Sequence, residues 1–351
     1  MAERIPVSVL GATGSVGQRF VQLLDGHPWF KVVALTGSDR KIGMPYGSAC
    51  NWVLDEAMPD WAESLILKPS NPEEMSVQVT FSALPSRVAK EIEPHFAHKG
   101  VMVCSNASAY RDEPDVPILL PEVNADHAGI LTVQRSNRGW RGGIVTNPNC
   151  TSTGMTVALK ALQDAFGLKR IFVVSLQALS GAGYPGIPSL DIIDNVIPNI
   201  EGEEEKVEQE PRKMLGTFTD GKISLADLIV SAHTNRVAVR DGHLVCLSVE
   251  LSNPPGIEEA AKALESYTAP QASRDLPSAP NPVILVRQEA ERPQPRLDRM
   301  TGNGMTTVVG RLRSDPLLHL KMVVLSHNTI RGAAGGSIYN AELLVKQGFI
   351  S

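Results

Sequence analysis

Residues 5–24 constrain the fold more than any other stretch. A short apolar run, IPVSVL, meets the turn GATGSVG and then VGQRFVQLL, in which Val16, Phe20 and Leu24 recur at helical spacing. Strand, glycine turn and helix in that order bring bare backbone amides and the positive end of a helix to one point, a geometry that holds a pyrophosphate. Gly11, Gly14 and Gly17 stand three apart and so depart from the GxGxxG spacing, and a tight strand-to-helix connection without a ligand is the competing reading. KVVALT at residues 31–36, then VQVTFSAL, a helical stretch near Ala89 and VMVCSN continue the alternation. The spacing predicts an α/β fold, with a Rossmann-like, doubly wound parallel sheet in residues 1–149.

Farther along, RIFVVSLQAL, HLVCLSVEL, PVILVRQ, TTVVGRL and LKMVVLSHN are longer strand-like segments separated by proline-rich loops. They predict a second, α+β domain over residues 150–328. PQASRDLPSAPNP and ERPQPRLDRM read as loop excursions without chemistry. GGSIYNAELLVKQGF is expected to form a helix, within residues 329–351, that packs back on the first domain. A chain of 351 residues, 42% hydrophobic, is long enough for two packed domains.

Charge and cysteine usage exclude several classes. The net charge is −5 and no lysine or arginine block stands out, so nucleic acid is not an expected partner. No apolar run is long enough to span a bilayer and MAERIPVSVLGATG lacks a leader pattern, so no membrane association and a cytoplasmic location are expected. Cys50, Cys104, Cys150 and Cys246 form no CxxC pair, and the histidines show no metal-ligand spacing. No metal is expected, and any special cysteine works as a thiol.

Cys150 is that cysteine. It closes NPNC and precedes TSTGMTVALKALQDAF, where Met155, Leu159, Leu162 and Phe166 share a helical face. A thiol at a helix start meets unpaired amides and the helix dipole, which favour thiolate and can bind an oxyanion. The other three cysteines read as small core residues. A nucleophilic thiol needs a proton-transfer partner, and His243, opening HLVCLSVEL, is the candidate; a structural histidine is the plainer reading. SLQALSGAGYPG ends a strand in a glycine-rich loop, from which Gln177 can point a neutral amide into a cleft. Ser38, Asp39, Arg40 and Lys41 follow the second strand, where such folds meet the adenosine ribose. The hydroxyl and two cations favour NADP, whereas Asp39 keeps NAD open as a secondary cofactor. EGEEEKVEQEPRKM is either a solvated acidic face or a source of one carboxylate and cations for a substrate.

In order along the chain, GATGSVG, SNASAYR, NPNCTSTG, QALSGAGYPG, EPRK, RVAVRDGH and NTIRGAAGGS strongly resemble the aspartate-semialdehyde dehydrogenase family, in the branch found in archaea and fungi. The resemblance implies NADP-dependent, reversible conversion of 4-aspartyl phosphate to aspartate 4-semialdehyde and phosphate, in the biosynthesis of lysine, threonine and methionine. It implies Cys150 as the acylated nucleophile, Asn149 and the helix-start amides at the oxyanion, His243 as proton shuttle and Gln177 as orienter of the acyl group. Arg236 would pair with the substrate carboxylate and Glu210 with its ammonium, while Lys213, Asn106 and Arg111 would hold phosphate. The cofactor would lie against Gly11, Thr13, Gly14, Ser15, Val16, Gly17, Ser38, Arg40, Lys41 and Ser82, with Ser180, Gly181 and Asn328 at its nicotinamide half. The second domain would serve catalysis and dimerisation, giving a homodimer or homotetramer. Pro211 departs from the family pattern, where a small hydroxyl residue follows the glutamate. A malonyl-CoA or succinyl-CoA reductase on the same scaffold, and a non-catalytic NADP-binding redox sensor, are the competing functions.

Overall fold

The computed structural model describes residues 3–350. Strands β1 (Ile5–Leu10), β2 (Phe30–Leu35), β3 (Val79–Ser82), β4 (Met102–Ser105) and β5 (Gly143–Thr146) form one five-stranded sheet in the order β2-β1-β3-β4-β5. Every pairing in it is parallel. The chain runs outward to β2 and then returns past β1 to β3, so the topological switch falls between β1 and β3. In open sheets of this kind ligands bind beyond the carboxyl ends of the strands at that point. The helix Ser15–Leu23 starts there.

The last helix, Gly335–Lys346, is buried along nearly its whole length. Its Ile338, Tyr339, Leu343 and Leu344 share one core with Val7 and Val9 of β1, Phe20 and Phe81. This helix therefore covers a face of the first sheet, which explains burial on every side, Ser337, Asn340 and Glu342 included, rather than along one stripe.

Strands β6 (Leu168–Gln177), β7 (Thr217–Thr219), β8 (Lys222–Ser224), β9 (Ile229–Arg236), β10 (His243–Leu251), β11 (Ile284–Arg287), β12 (Thr307–Ser314) and β13 (Leu320–Ser326) follow. Six of them make a mixed sheet, β11-β12-β13-β10-β6-β9, and β7 pairs with β8. The helix Cys150–Phe166 packs Met155, Leu159 and Leu162 onto Ile171, Val173, Val245, Leu247 and Val324 of that sheet. Buried and half-exposed residues alternate along β10, so the sheet's other face, which carries Phe172, is not covered by the helix.

Register places the chemistry. Gln177 ends β6 opposite Arg236 at the end of β9, and His243 opens β10 opposite Ser326 at the end of β13. The parallel β6–β9 pair and the antiparallel β10 and β13 thus bring these termini to one edge, which faces Cys150.

Candidate active site

A cleft of about 570 Å³ runs between the two sheets. Its lining includes Gly14, Ser15 and Val16 on one side, Ser180, Gly181 and Asn328 on another, and Asn106, Arg111, Asn149 and Cys150 at its floor. Each glycine of the turn has its own reason. Gly11 has φ +71° and sits against the Ala83 carbonyl. At Gly17 a Cβ would lie 2.2 Å from the Gly11 oxygen, so only glycine lets helix and strand close together. At Gly14 a Cβ would meet nothing nearer than the Gly11 oxygen at 3.6 Å, so the backbone there borders open space, as a pyrophosphate cradle requires.

Ser38 and Arg40 are exposed and Lys41 half-exposed on the 3₁₀ turn Asp39–Lys41. Among the described residues no ion pair engages Arg40 or Lys41. Thr13 stays beside this turn, its methyl facing Gly37. Ser82 differs from its expected place: it is fully buried at the end of β3, and Ala83, Leu84 and Ser86 line the cleft instead. Asn328 donates to the Ser180 hydroxyl at 2.7 Å and accepts from the Gly242 amide at 2.8 Å, which ties the glycine-rich loop to the end of β13.

Cys150 is half-buried, and its Sγ lies 3.2 Å from His243 Nε2. The Ala178 amide donates to His243 Nδ1 at 3.0 Å. That bond requires an unprotonated Nδ1, so the neutral ring carries its proton on Nε2, directed at the sulfur. Burial, followed by the charges of Arg236 and His327, pushes His243 down to about 3. Burial also pushes the Cys150 thiol up to about 12, and Glu203 adds to the rise while Arg111 and Arg236 oppose it. The thiolate expected from the helix start is therefore not the resting species. The cap explains part of this, since Asn149 Oδ1 already accepts from the Thr151 and Ser152 amides at 2.8 and 3.2 Å. Only the Cys150 amide remains, among the described residues, as a helix-start donor for an oxyanion.

A reactivity test follows from these directions. Without substrate, alkylation of Cys150 by iodoacetamide is expected to be slow at neutral pH and to rise about tenfold per pH unit, up to the pH where the protein unfolds. A rate already level from pH 6 to 8 would mean a preformed thiolate.

The carboxylates behind Asn149 depart from expectation. Glu210 is buried with both oxygens engaged: Oε1 accepts from Arg111 at 2.8 Å and Oε2 from the Asn149 amide at 2.6 Å. Burial raises its pKa, and the Arg111 guanidinium opposes the rise. It fixes Arg111 and Asn149 rather than awaiting an ammonium. Glu203, absent from the expected set, is the carboxylate nearer the chemistry. Its Oε1 accepts from Asn149 Nδ2 at 2.8 Å and from Gln177 Nε2 at 3.1 Å. Lys213 does not reach the cleft. Its Nζ donates to the carbonyls of Arg111, Glu113 and Val116 at 2.6, 2.7 and 2.8 Å, and burial brings it down to about 8. Pro211 lies within the helix Glu203–Met214 without interrupting it.

Arg236 donates through Nη1 to the Ala178 carbonyl at 2.7 Å, which holds the guanidinium beside His243. Gly181 covers both: a Cβ there would stand 2.7 Å from Arg236 Nη1 and 3.1 Å from the His243 ring. Gly181→Ala is expected to lower kcat/KM about tenfold or more, because it displaces the guanidinium beside His243, and to lower thermal stability as well, because the buried Arg236 loses a charged hydrogen bond. Steady-state kinetics beside a thermal melt checks it.

A dinucleotide cradle at the switch point of a parallel sheet, opening onto a cysteine held against a histidine, defines an oxidoreductase with a thiol nucleophile. Family comparison agrees: residues 6–130 match the semialdehyde dehydrogenase NAD-binding domain, and residues 159–331 match its dimerisation domain. The chain belongs to the aspartate-semialdehyde dehydrogenase family. It is 53% identical to the aspartate-semialdehyde dehydrogenase of Archaeoglobus fulgidus, over 99% of this chain and all of that one. It is 46% identical to that of Schizosaccharomyces pombe, over 98% and 99%. The fold superposes on the crystal structure of the Candida albicans enzyme with NADP at a TM-score of 0.91, with 40% identity, 99% of this chain and 100% of the other covered. The sequence expectations of fold class and family thus hold. Among the described residues no helix is long and apolar enough to cross a membrane.

Proposed function

We propose that this chain catalyses the NADP-dependent, reversible reductive dephosphorylation of 4-aspartyl phosphate to aspartate 4-semialdehyde and phosphate, in lysine, threonine and methionine biosynthesis. The observation that carries the reading is the Cys150 Sγ to His243 Nε2 contact of 3.2 Å, at a helix start in the cleft that the glycine turn borders. Cys150 attacks the acyl carbon, the C–S bond forms, and the C–O bond to phosphate breaks with its electron pair on phosphate, which leaves as hydrogen phosphate with the thiol proton. The Cys150 amide and Asn149 steady the oxyanion. Gln177, held by Glu203, orients the acyl group. Arg236 offers the donors not used by Ala178 to the substrate carboxylate, and Glu203 Oε2, which has no hydrogen bond among the described residues, suits its ammonium. His243, neutral with its proton on Nε2, hydrogen-bonds to the oxyanion that hydride addition leaves on the acyl carbon; as that adduct collapses to the aldehyde the C–S bond breaks with its electron pair on sulfur, which takes up a proton from solvent.

The cradle fits a nicotinamide dinucleotide. Gly14, Ser15 and Val16 would hold its pyrophosphate, Ser180, Gly181 and Asn328 its nicotinamide end, and Ser38, Arg40 and Lys41 a 2′-phosphate. When bound, it supplies the hydride that reduces the acyl group. The exposed Asp39 on the same turn leaves NAD as a secondary cofactor. We assign residues 1–149, completed by 329–351, to cofactor binding, and residues 150–328 to catalysis and dimerisation. The sheet face bearing Phe172, 41% exposed, supports a homodimer or homotetramer of a cytoplasmic enzyme.

The test is absorbance at the NADPH wavelength with aspartate semialdehyde, with and without phosphate, using NADP and then NAD. A phosphate-dependent rise, faster with NADP, is expected. No rise with either cofactor would overturn the reading.

A further inference from the structure

Glu93 is a buried carboxyl that the proposed reaction does not use. It lies on the helix Ser86–Lys99, fully buried, and forms no ion pair among the described residues. Its Oε1 accepts from the Ser105 hydroxyl at 2.6 Å, whereas its Oε2 has no hydrogen-bond partner among those residues. The Ser82 hydroxyl, which faces the same carboxyl, is likewise buried and unpartnered. A carboxylate buried without a cation is costly, whereas a neutral acid carries a proton on Oε2 that finds its acceptor in Ser82. Burial accordingly raises Glu93 to about 7, with the Ser105 and Ser82 hydroxyls opposing the rise. The helix packs on β3, β4, β5 and the turns Pro72–Glu74 and Ser108–Tyr110. Tyr110 is the titratable group there that responds to the charge of Glu93; its hydroxyl donates at 2.7 Å to the Lys90 carbonyl, which Pro94 leaves without a helical donor. Glu73 and Glu74 are exposed beside Lys99, Cys104 packs on the other face of the sheet, and β3 and β5 carry no ionisable side chain. Arg87, Lys90, Glu91, His95 and His98 of the helix itself are exposed.

We propose that Glu93 is a positioning residue, a neutral carboxylic acid that clamps the carboxyl ends of β3 and β4 through Ser82 and Ser105 and so sets the two loops bordering the cofactor's part of the cleft. Its effect on cofactor binding rests on the function proposed above; the protonated carboxyl does not. Ala83, Leu84 and Ser86 follow Ser82, and Asn106 and Ser108 follow Ser105, and all five line the cleft together with the glycine turn. The two loops are tied to the clamp and to each other. The Asn106 amide donates to the Ser82 carbonyl at 3.0 Å, the Ala107 amide to Ser105 Oγ at 3.1 Å, and the hydroxyls of Ser86 and Ser108 are 2.9 Å apart. The Ala83 carbonyl in turn sits against Gly11, where a Cβ would lie 2.9 Å from its oxygen, so a shift of this loop reaches the pyrophosphate cradle. When Glu93 ionises, the Oε2 proton passes to water, the link to Ser82 is lost, and an unpaired charge remains between the strands and the helix. Cofactor binding then weakens.

Two measurements on the full-length protein test this. Infrared difference spectra of the cofactor-free chain, wild type minus Glu93→Gln, should show the carbonyl stretch of a protonated carboxyl at about pH 6 that fades as pH rises through about 7. In NADP titrations followed by fluorescence, Glu93→Gln, whose amide copies the neutral acid, should have a Kd within about twofold of wild type at about pH 6. At about pH 8.5 the wild type should bind about tenfold more weakly than that variant, the worth of one hydrogen bond. Titration of the cofactor's own phosphate is common to both proteins and cancels in the ratio. A difference spectrum without a protonated carboxyl at about pH 6 would overturn the assignment. So would a Glu93→Gln chain that fails to fold or binds NADP tenfold more weakly at that pH, or a Kd ratio that stays constant between the two pH values. A wild type that binds NADP at neither pH would overturn the function proposed above, and the infrared band would still decide the state of Glu93.

Discussion

Cys150→Ser is expected to lose turnover by a factor on the order of 10⁴ or more, because a serine hydroxyl at this site has no base to activate it. His243 donates from Nε2 toward position 150, and its imidazolium is held off by burial and by the Ala178 amide on Nδ1. A thiol ionises at that place when substrate brings charge. An alcohol, several pK units weaker as an acid, does not. NADP binding should survive within about twofold, since the glycine turn and residues 38–41 lie outside the 150–243 pair. Cofactor titration by fluorescence alongside the dehydrogenase assay measures both effects. Dehydrogenase activity within tenfold of wild type would refute a thioester route.

The second large effect is on stability. Arg331 is fully buried, and its Nη2 pairs with Glu122, which is 1% exposed. Arg331 Nε and Nη1, Glu122 Oε1, Asn147 Nδ2 and Asn340 Oδ1 have no hydrogen-bond partners, so this network is already incompletely satisfied. Arg331→Met leaves the Glu122 carboxyl buried without its cation, and such a removal costs about 3–5 kcal/mol. Burial already raises the Glu122 pKa against the pull of Arg331, so without the arginine this carboxyl takes up a proton as the protein folds. Denaturant unfolding should show the loss, and the double variant with Glu122→Gln should regain part of it. Activity should fall as well. Gly332, the next residue, packs so closely on Cys150 that a Cβ there would lie 2.8 Å from the cysteine Cβ. The π-helix Ile330–Ala334 thereby sets the nucleophile's position.

What was legible in the sequence follows from which interactions are local. Apolar alternation marks β6 and β10, and the strand–glycine–helix order marks the cofactor end, because each expresses its own burial within a few residues. Convergence of Gln177, His243 and Cys150 could be inferred because each stands at the end of such an element. Strand β9 escaped detection: IVSAHTNR is an edge strand whose one strand neighbour in the sheet is β6, and its polar composition hides the period. The helix Glu203–Met214 shows the same limit from the other side. By composition it is a solvated acidic run, yet Glu203, Glu210 and Lys213 are buried, because their partners Asn149, Arg111 and the carbonyls of residues 111–116 come from another part of the chain. A motif carried residue by residue put Lys213 on phosphate and Glu210 on an ammonium, and the long-range hydrogen bonds that occupy both groups leave no trace in the sequence. Ser82 fails likewise, since the end of a strand does not reveal which face its side chain takes.

The central claim is that the acyl group passes through Cys150. Its most direct test is mass spectrometry of the acid-quenched enzyme after mixing with NADP and aspartate semialdehyde in the absence of phosphate. The account predicts a single aspartyl adduct on the peptide carrying Cys150, lost on adding phosphate and absent from Cys150→Ser. NADPH formation with no adduct on that peptide, or an adduct on another residue, would contradict it.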